Sequence, residues 1–212
     1  MHRMIHNKNS QQQMLSFDIE TEGLDPRKHR ITVASIYDPH RSIQHTYNFI
    51  DTDDEQQIES RKNAFLKQLD NAPALCCFNG VKFDVPFIAK RFNVSPLRVH
   101  AWMLKLFDIF EICRLVYGSS CSLNALLIAN GSKDIKSGSG LQAVEWAHQK
   151  KWQLLEEYCM KDTVLTHEIS TKQRVVKLPL SSSQYKGKND VASFEHVYCP
   201  VSNEHKTLDF FG

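Results

Sequence analysis

Three segments within the first fifty residues carry the two-residue alternation of β-strands, and this pattern constrains the fold more than any other feature. Residues 14–20 and 31–37 are rich in apolar and β-branched side chains, and residues 43–50 alternate between apolar and polar ones. The connection between the first two contains Gly23, Asp25 and Pro26, which favour a turn. The pattern predicts an antiparallel meander of three strands.

Helical and strand patterns alternate after residue 50. Residues 53–69 place apolar side chains at helical spacing behind an aspartate at a capping position, which predicts an amphipathic helix. Short apolar runs at residues 74–78 and 104–109 predict two further strands. The other periodic segments predict helices at residues 86–92, 110–117, 122–129 and 140–172, the last broken near Lys150. Strands first and helices interleaved later indicate an α/β layered domain.

A chain of 212 residues has room for one sizeable core. We therefore expect a polar leader at residues 1–13, one domain at residues 14–177, and a linker with a C-terminal tail at residues 178–212. The leader has no apolar segment of the signal-peptide kind, and no run of about 18 apolar residues is present. These features predict a soluble intracellular protein, cytoplasmic or nuclear, with no membrane partner.

Composition leaves the class of function open. The 26 basic and 24 acidic residues give a formal charge of +2, which neither supports nor excludes a nucleic-acid partner. The six cysteines include no CxxC pair and lack the spacing of a disulfide framework, so we expect reduced thiols. The ten histidines are scattered, without the ligand spacing of a zinc site.

Asp18 and Glu20 are two residues apart in a predicted strand, so both carboxylates leave the same face. Two acids on one face of an apolar strand are costly unless a cation compensates them. Oxygen-only ligands favour Mg²⁺ or Mn²⁺ over Zn²⁺. The alternative is that one of the two acids faces solvent at the end of the strand.

Asp84 lies between apolar residues in NGVKFDVPF, just after an Asn-Gly turn. One interpretation is a helix cap for the segment that begins at Pro86, and the other is an acid of a functional site. Asn79 is either a turn former or a contact for a sugar or phosphate.

Tyr158 and Asp162 are four residues apart in a predicted helix, so they share one of its faces. An aspartate within the apolar stripe of that helix needs a compensating partner, as Asp18 does. If Asp18, Glu20, Asp84 and Asp162 converge, the four carboxylates can hold two metal ions roughly 3.5–4 Å apart, as two-metal phosphoryl-transfer sites require.

The segments FDIET, NGVKFDVPF and YCMKD, in this order, resemble the three exonuclease motifs of the DEDD superfamily, in the subclass whose third motif carries tyrosine. The likeness is to the proofreading exonuclease domains of family B DNA polymerases and their stand-alone relatives, and it covers residues 14–173. The Lys-Ser-Gly sequence at residues 136–138 is similar to a loop that these relatives carry.

The resemblance implies an RNase H-like fold, with a mixed five-stranded sheet of three antiparallel and two parallel strands and helices on both faces. It implies a two-metal 3′-to-5′ exonuclease that acts on the single-stranded 3′ end of DNA or RNA, with DNA slightly favoured, and releases nucleoside 5′-monophosphates. Two Mg²⁺ or Mn²⁺ ions would be held by Asp18, Glu20 and Asp162, with Asp84 acting mostly through water. Tyr158 would orient the attacking water.

Residues near the motifs are candidates for substrate contacts. Phe83 and Phe87 are candidates to flank the terminal base, the alternative being that each is a core residue. Lys136 and Lys161 are candidates to neutralise phosphates, the alternative being that each is a solvated lysine.

Other interpretations of the chain stay open. A catalytically inactive nucleic-acid or protein-binding module on the same fold is the alternative function, although such a module is expected to have lost an acid. A structure-specific endonuclease on the same fold is a third possibility, and it would differ from the exonuclease only in how it binds the end of the substrate. The C-terminal KTLDFFG partly resembles a sliding-clamp-binding peptide, so the tail is a candidate site for a protein partner.

Overall fold

The computed structural model describes residues 14–117, 121–135, 138–171, 176–177 and 191–192. The alternating segments near the N-terminus form its first three strands, which are β1 (Met14–Thr21), β2 (Ile31–Asp38) and β3 (Ile43–Asn48). β2 pairs antiparallel with β1 on one side and with β3 on the other. The predicted meander is therefore confirmed.

Two later strands complete the sheet on the other side of β1. They are β4 (Ala74–Cys77) and β5 (Leu106–Asp108). β4 runs parallel to β1, and β5 runs parallel to β4, which gives the strand order β3-β2-β1-β4-β5. The predicted five-stranded sheet, with three antiparallel and two parallel strands, is confirmed. Because β1, β4 and β5 run in the same direction, their carboxyl ends meet at one edge of the sheet.

Helices connect and cover these strands. They are α1 (Glu55–Asn71), α2 (Asp84–Arg91), α3 (Pro96–Met103), α4 (Ile109–Tyr117), α5 (Leu123–Ala129), α6 (Gly140–His148) and α7 (Trp152–Thr171). The break near Lys150 is confirmed, because this residue has a φ of 55° between α6 and α7.

The alternation along β1 divides the core between the two faces of the sheet. Leu15, Phe17 and Ile19 pack with apolar residues of α1, α2 and α3 in one cluster. Met14 packs with residues of α5 and α7 in a second cluster on the opposite face. Since the sheet is covered on both faces, the central strand β1 is buried almost throughout, and any charged group on it needs compensation.

The structure differs from the sequence predictions at two elements. α3 was not predicted, although Ser95 accepts a hydrogen bond from Arg98 N as its N-cap and Pro96 is its first residue, both of which are local helix-start signals. β5 has only three residues, because the chain turns directly into α4 at Ile109.

The chain beyond α7 is described at two short strands only. β6 (Val176–Lys177) and β7 (Val191–Ala192) pair antiparallel. β7, which lies beyond the expected domain boundary at residue 177, therefore pairs with the strand that ends at that boundary. The leader at residues 1–13, Lys136 and the C-terminal tail with its KTLDFFG sequence lie outside the described residues. Within the described part, no helix combines the length and apolar character that a membrane span needs.

Candidate active site

Asp18 and Glu20 lie on the face of β1 that α7 covers. The pleat sends Phe17 and Ile19 into the opposite cluster, so the two acids share one face as predicted. Glu20 is 8% exposed, and Asp18 is partly exposed. A register irregularity between Glu20 and Thr21 ends the regular pairing with β2 just after the acids.

Asp162 and Tyr158 come from α7, one helical turn apart, and each is 3% exposed. One carboxylate oxygen each of Asp18, Glu20 and Asp162 lies within 4.8 Å of the other two. The fold therefore brings together acids separated by more than 140 positions in the sequence. We call these three residues the carboxylate triad.

The carboxylate triad has the composition and spacing of a divalent metal site. At an effective dielectric constant of about 20, two carboxylates about 5 Å apart repel each other by about 3 kcal/mol, so a cation between them is strongly favoured. Oxygen ligands on opposite sides of Mg²⁺ are roughly 4.2 Å apart, since each Mg–O distance is about 2.1 Å. The three triad oxygens lie within 4.8 Å of one another, a range that includes this span. The residues present thus fit Mg²⁺ or Mn²⁺.

Asp84 is the first residue of α2 and is 3% exposed. Its Oδ1 accepts a hydrogen bond from Ile19 N at 3.1 Å, on the backbone between Asp18 and Glu20. Asp84 is not the N-cap of α2, because that position is Phe83, which makes no side-chain capping bond. The carboxylate is instead tied to the strand that carries two of the triad residues.

Gly80 permits this approach of α2 to the strands. A Cβ at this position would lie 2.4 Å from Cys77 Sγ and 3.5 Å from Asp84 Oδ2. Both atoms are buried, so any larger residue would displace the loop that delivers Asp84.

The loop that contains Asn79 is fixed by Asp108, the last residue of β5. Asp108 is 4% exposed, and its two carboxylate oxygens accept hydrogen bonds from Asn79 N and Val81 N, each at 2.9 Å. Asn79 has a φ of 66°, which asparagine tolerates better than most residues. Asp108 is therefore a structural acid that shapes the loop.

Tyr158 is enclosed by α6 and by the loop that precedes it. Its ring meets Trp146 edge to face, with centroids 5.6 Å apart. A Cβ added to Gly138 would lie 3.1 Å from Tyr158 Cε2, so the end of the Lys-Ser-Gly sequence packs against the tyrosine ring. Ser139 and Gln142 form a capping box that fixes the start of α6 beside it.

A buried polar network between α7 and β2, which the sequence analysis missed, contacts Asp18. Cys159 Sγ lies 3.6 Å from Asp18 O and 3.7 Å from Asp18 Oδ2. Ser35 Oγ on β2 donates to Cys159 O at 3.0 Å and also contacts Thr163 Oγ1. Burial, and then the negative charges of Asp18 and Glu20, raise the pKa of the Cys159 thiol, so it stays protonated. No local pattern distinguishes Cys159 from an ordinary core cysteine.

The remaining candidates for substrate contacts differ in burial and in distance from the carboxylate triad. Phe87 is 1% exposed and belongs to the core, which was the alternative interpretation of this residue. Phe83 is partly exposed, with its ring centroid 5.2 Å from that of Phe87. Lys161 is partly exposed and lines a groove of about 630 Å³ together with Glu156 and Glu157, and the carboxylate triad does not line that groove.

Comparisons with known proteins give one family and two similar structures. A family model described as the RNase_H superfamily matches residues 15–173. The family B DNA polymerase of the hyperthermophilic archaeon Pyrobaculum calidifontis is 18% identical, with a TM-score of 0.57 over 75% of this chain and 24% of that one. A structure described as the apo form of the nuclease is also 18% identical, with a TM-score of 0.50 over 75% of this chain and 70% of that one. No curated protein sequence matches the chain.

These likenesses carry different weight. The family model spans most of the domain and includes every acid discussed above. At 18% identity the two structures show the fold alone, and the chain spans about a quarter of the polymerase.

Proposed function

The chain belongs to the RNase_H superfamily, and on that premise we propose that it is a metal-dependent 3′-to-5′ exonuclease. Its substrate is a single-stranded 3′ end, with DNA slightly favoured over RNA, and its products are nucleoside 5′-monophosphates. The observation that carries the proposal is the carboxylate triad, whose oxygens lie within 4.8 Å of one another beside Asp84.

In this proposal the acids bind the metal ions and Tyr158 positions the water. Asp18, Glu20 and Asp162 would hold two Mg²⁺ or Mn²⁺ ions, with Asp84 contributing mostly through water. When bound, the ions lower the pKa of a water and stabilise charge on the phosphate and the leaving 3′ oxygen. Tyr158 lies one turn before Asp162 on the same face of α7 and orients the attacking water. The apolar packing of Trp146 and Gly138 on the tyrosine ring restricts the positions of its hydroxyl.

The proposal is tested with single-stranded DNA and RNA oligonucleotides that carry a 5′ label, incubated with Mg²⁺ or Mn²⁺. We expect a ladder that shortens from the 3′ end and disappears when EDTA removes the metal. Asp18→Ala and Asp162→Asn should lower the rate by about 10²–10³-fold or more, because each removes a charge from the metal site. Tyr158→Phe should slow the reaction while the metal concentration at half-maximal rate stays unchanged.

A matched control is available on the surface. Asp54 is the N-cap of α1, and Asp54→Asn removes one negative charge while keeping a good capping residue, so activity should be retained. Binding without cleavage by the wild-type protein would favour the inactive-module alternative. Internal cuts, or a ladder that persists when the 3′ end is blocked, would contradict the proposed polarity.

A further inference from the structure

Two phenylalanines lie side by side where β4 and β5 end. Phe78 directly follows β4, and Phe110 is the second residue of α4, which follows β5. Their ring centroids are 5.6 Å apart with an interplanar angle of 73°, and both side chains are partly exposed. We call them the Phe78–Phe110 pair. Neither residue belongs to the candidate site described above.

The sheet register places this pair beside the carboxylate triad. Ser16 of β1 is paired with Cys76 of β4, and Asp18 and Phe78 each lie two residues beyond this last paired position. Adjacent strands are about 4.8 Å apart, and residues two positions apart point to the same face. Phe78 packs against the cluster that contains residues of α7, which is the face that also carries Asp18. The pair therefore begins one strand away from the triad.

One buried carboxylate holds both rings in position. Asp108 accepts hydrogen bonds from Asn79 N and Val81 N, just after Phe78. Its Oδ1 also accepts from Phe110 N at 3.0 Å and Glu111 N at 3.3 Å. Because the same side chain anchors both segments, the rings keep their separation before any ligand arrives, and the entropy lost on binding is reduced.

The charges around the pair favour a polyanion. Lys82 Nζ lies 5.9 Å from the centroid of Phe110 and 2.7 Å from Glu111 Oε1. Arg114 forms an ion pair with the other oxygen of Glu111 at 2.8 Å. Two cations therefore flank Glu111, so these three charges sum to +1, while the buried Asp108 carboxylate is offset by its four backbone N–H donors. The side chain of Lys82 is 55% exposed, so it can exchange this ion pair for one with a phosphate.

From this arrangement we infer that the Phe78–Phe110 pair, with Lys82, binds the nucleotide next to the terminal one in single-stranded nucleic acid. The inference rests on the proposed function, because the carboxylate triad then takes the scissile phosphate of the 3′-terminal nucleotide. Partly exposed aromatic rings stack on bases of any sequence, and an adjacent lysine neutralises the phosphate. The pair therefore favours oligonucleotides over single nucleotides and does not select one base over another.

Binding is measured by fluorescence anisotropy of a labelled oligothymidylate, using full-length protein in the Asp162→Asn background so that hydrolysis does not interfere. We expect Phe110→Leu, which keeps apolar volume but removes the ring, to raise the Kd about tenfold, equivalent to about 1.4 kcal/mol. Lys82→Gln should raise the Kd several-fold and reduce its dependence on salt concentration.

The chain offers a matched control at the far end of α2. Phe92 is also partly exposed and has Lys62 Nζ 6.0 Å from its ring centroid, beside Glu59. Phe92→Leu and Lys62→Gln repeat the same chemical changes on the opposite face of the sheet, where Phe92 packs with residues of α1 and α2, and they should leave the Kd unchanged.

A second readout uses the enzyme with Asp162 intact and compares the kcat/KM of two substrates. The p-nitrophenyl ester of thymidine 5′-monophosphate has no second nucleotide, so Phe110→Leu should lower the ratio of oligonucleotide to ester kcat/KM about tenfold. Equal losses on both substrates, or an unchanged Kd in both Phe110→Leu and Lys82→Gln, would overturn the inference. If Phe110→Leu does not fold, an unchanged Kd in the surface variant Lys82→Gln is sufficient to reject it. If the wild-type protein hydrolyses neither substrate, the proposed function fails, and the anisotropy measurement still decides the inference.

Discussion

Replacing Asp162 by asparagine should stabilise the metal-free protein. The side chain of Asp162 is 3% exposed, and its carboxylate lies within 4.8 Å of oxygens of both Asp18 and Glu20. Each repulsion is about 3 kcal/mol at an effective dielectric constant of about 20. Asparagine is nearly the same size and removes both repulsions at once. Solvent at the partly exposed Asp18, together with salt, weakens them, so we expect a net gain of about 1–3 kcal/mol.

The measurement is thermal unfolding of the purified protein in EDTA, followed by the same scan with Mn²⁺. For a domain of this size, the expected gain raises the Tm by about 3–10 °C in EDTA. With Mn²⁺ in hundredfold excess over its Kd, the wild-type protein should gain about 2.7 kcal/mol. Asp162→Asn should gain much less, because one of its ligands is lost.

Asp108 provides a control with the opposite sign. It is equally buried, but its carboxylate accepts hydrogen bonds from four backbone N–H groups. Asp108→Asn turns an NH₂ group toward these donors and should cost about 2–3 kcal/mol. If Asp162→Asn also lowers the Tm in EDTA, or if Mn²⁺ stabilises it as much as the wild type, the carboxylate triad is not a repulsive cluster that binds metal.

Three further changes are expected. Burial lowers the pKa of His167 in the folded protein, so the unfolded protein binds more protons below its own pKa of about 6.5. The stability that the neutral side chain provides is therefore complete above that pH and is lost as the pH falls below it. Urea unfolding at about pH 7.5 and pH 5.5 should show a smaller change in the free energy of unfolding in His167→Gln than in the wild type. Gly138→Ala pushes a methyl group against Tyr158, and kcat should fall several-fold with little change in metal dependence, whereas an unchanged kcat would separate this loop from the tyrosine. A hydrogen bond from Cys113 lowers the pKa of the Cys121 thiol, which is also partly exposed, so Cys121 should be the first of the five described cysteines that iodoacetamide alkylates, as read by peptide mass spectrometry.

The strand and helix pattern could be predicted because it is local. The three N-terminal strands, the two later strands and the break at Lys150 follow from alternation, short apolar runs, helical spacing and turn residues, whereas the parallel direction of the later strands was implied by the family resemblance. α3 was missed because Leu97 in the helix and Leu104 at its C-cap are exposed, so apolar residues occupy both sides of the segment and obscure the amphipathic pattern.

Within the site, the sequence by itself determined which acids share a face. Asp18 and Glu20 follow from the period of a strand, and Tyr158 and Asp162 follow from the period of a helix. These relations depend only on neighbours a few residues away, so they are present in the sequence before the chain folds.

The tertiary structure alone decided which faces meet. It brought α7 against β1, so that Asp162 joins Asp18 and Glu20, and it tied Asp84 to Ile19 N. It also assigned Asp108 to the backbone of two loops, a role that the letters FDIF do not distinguish from substrate contact. The physical reason is that contacts between distant segments are selected by burial of the whole core against the entropy of closing long loops, and no short window of sequence contains that balance.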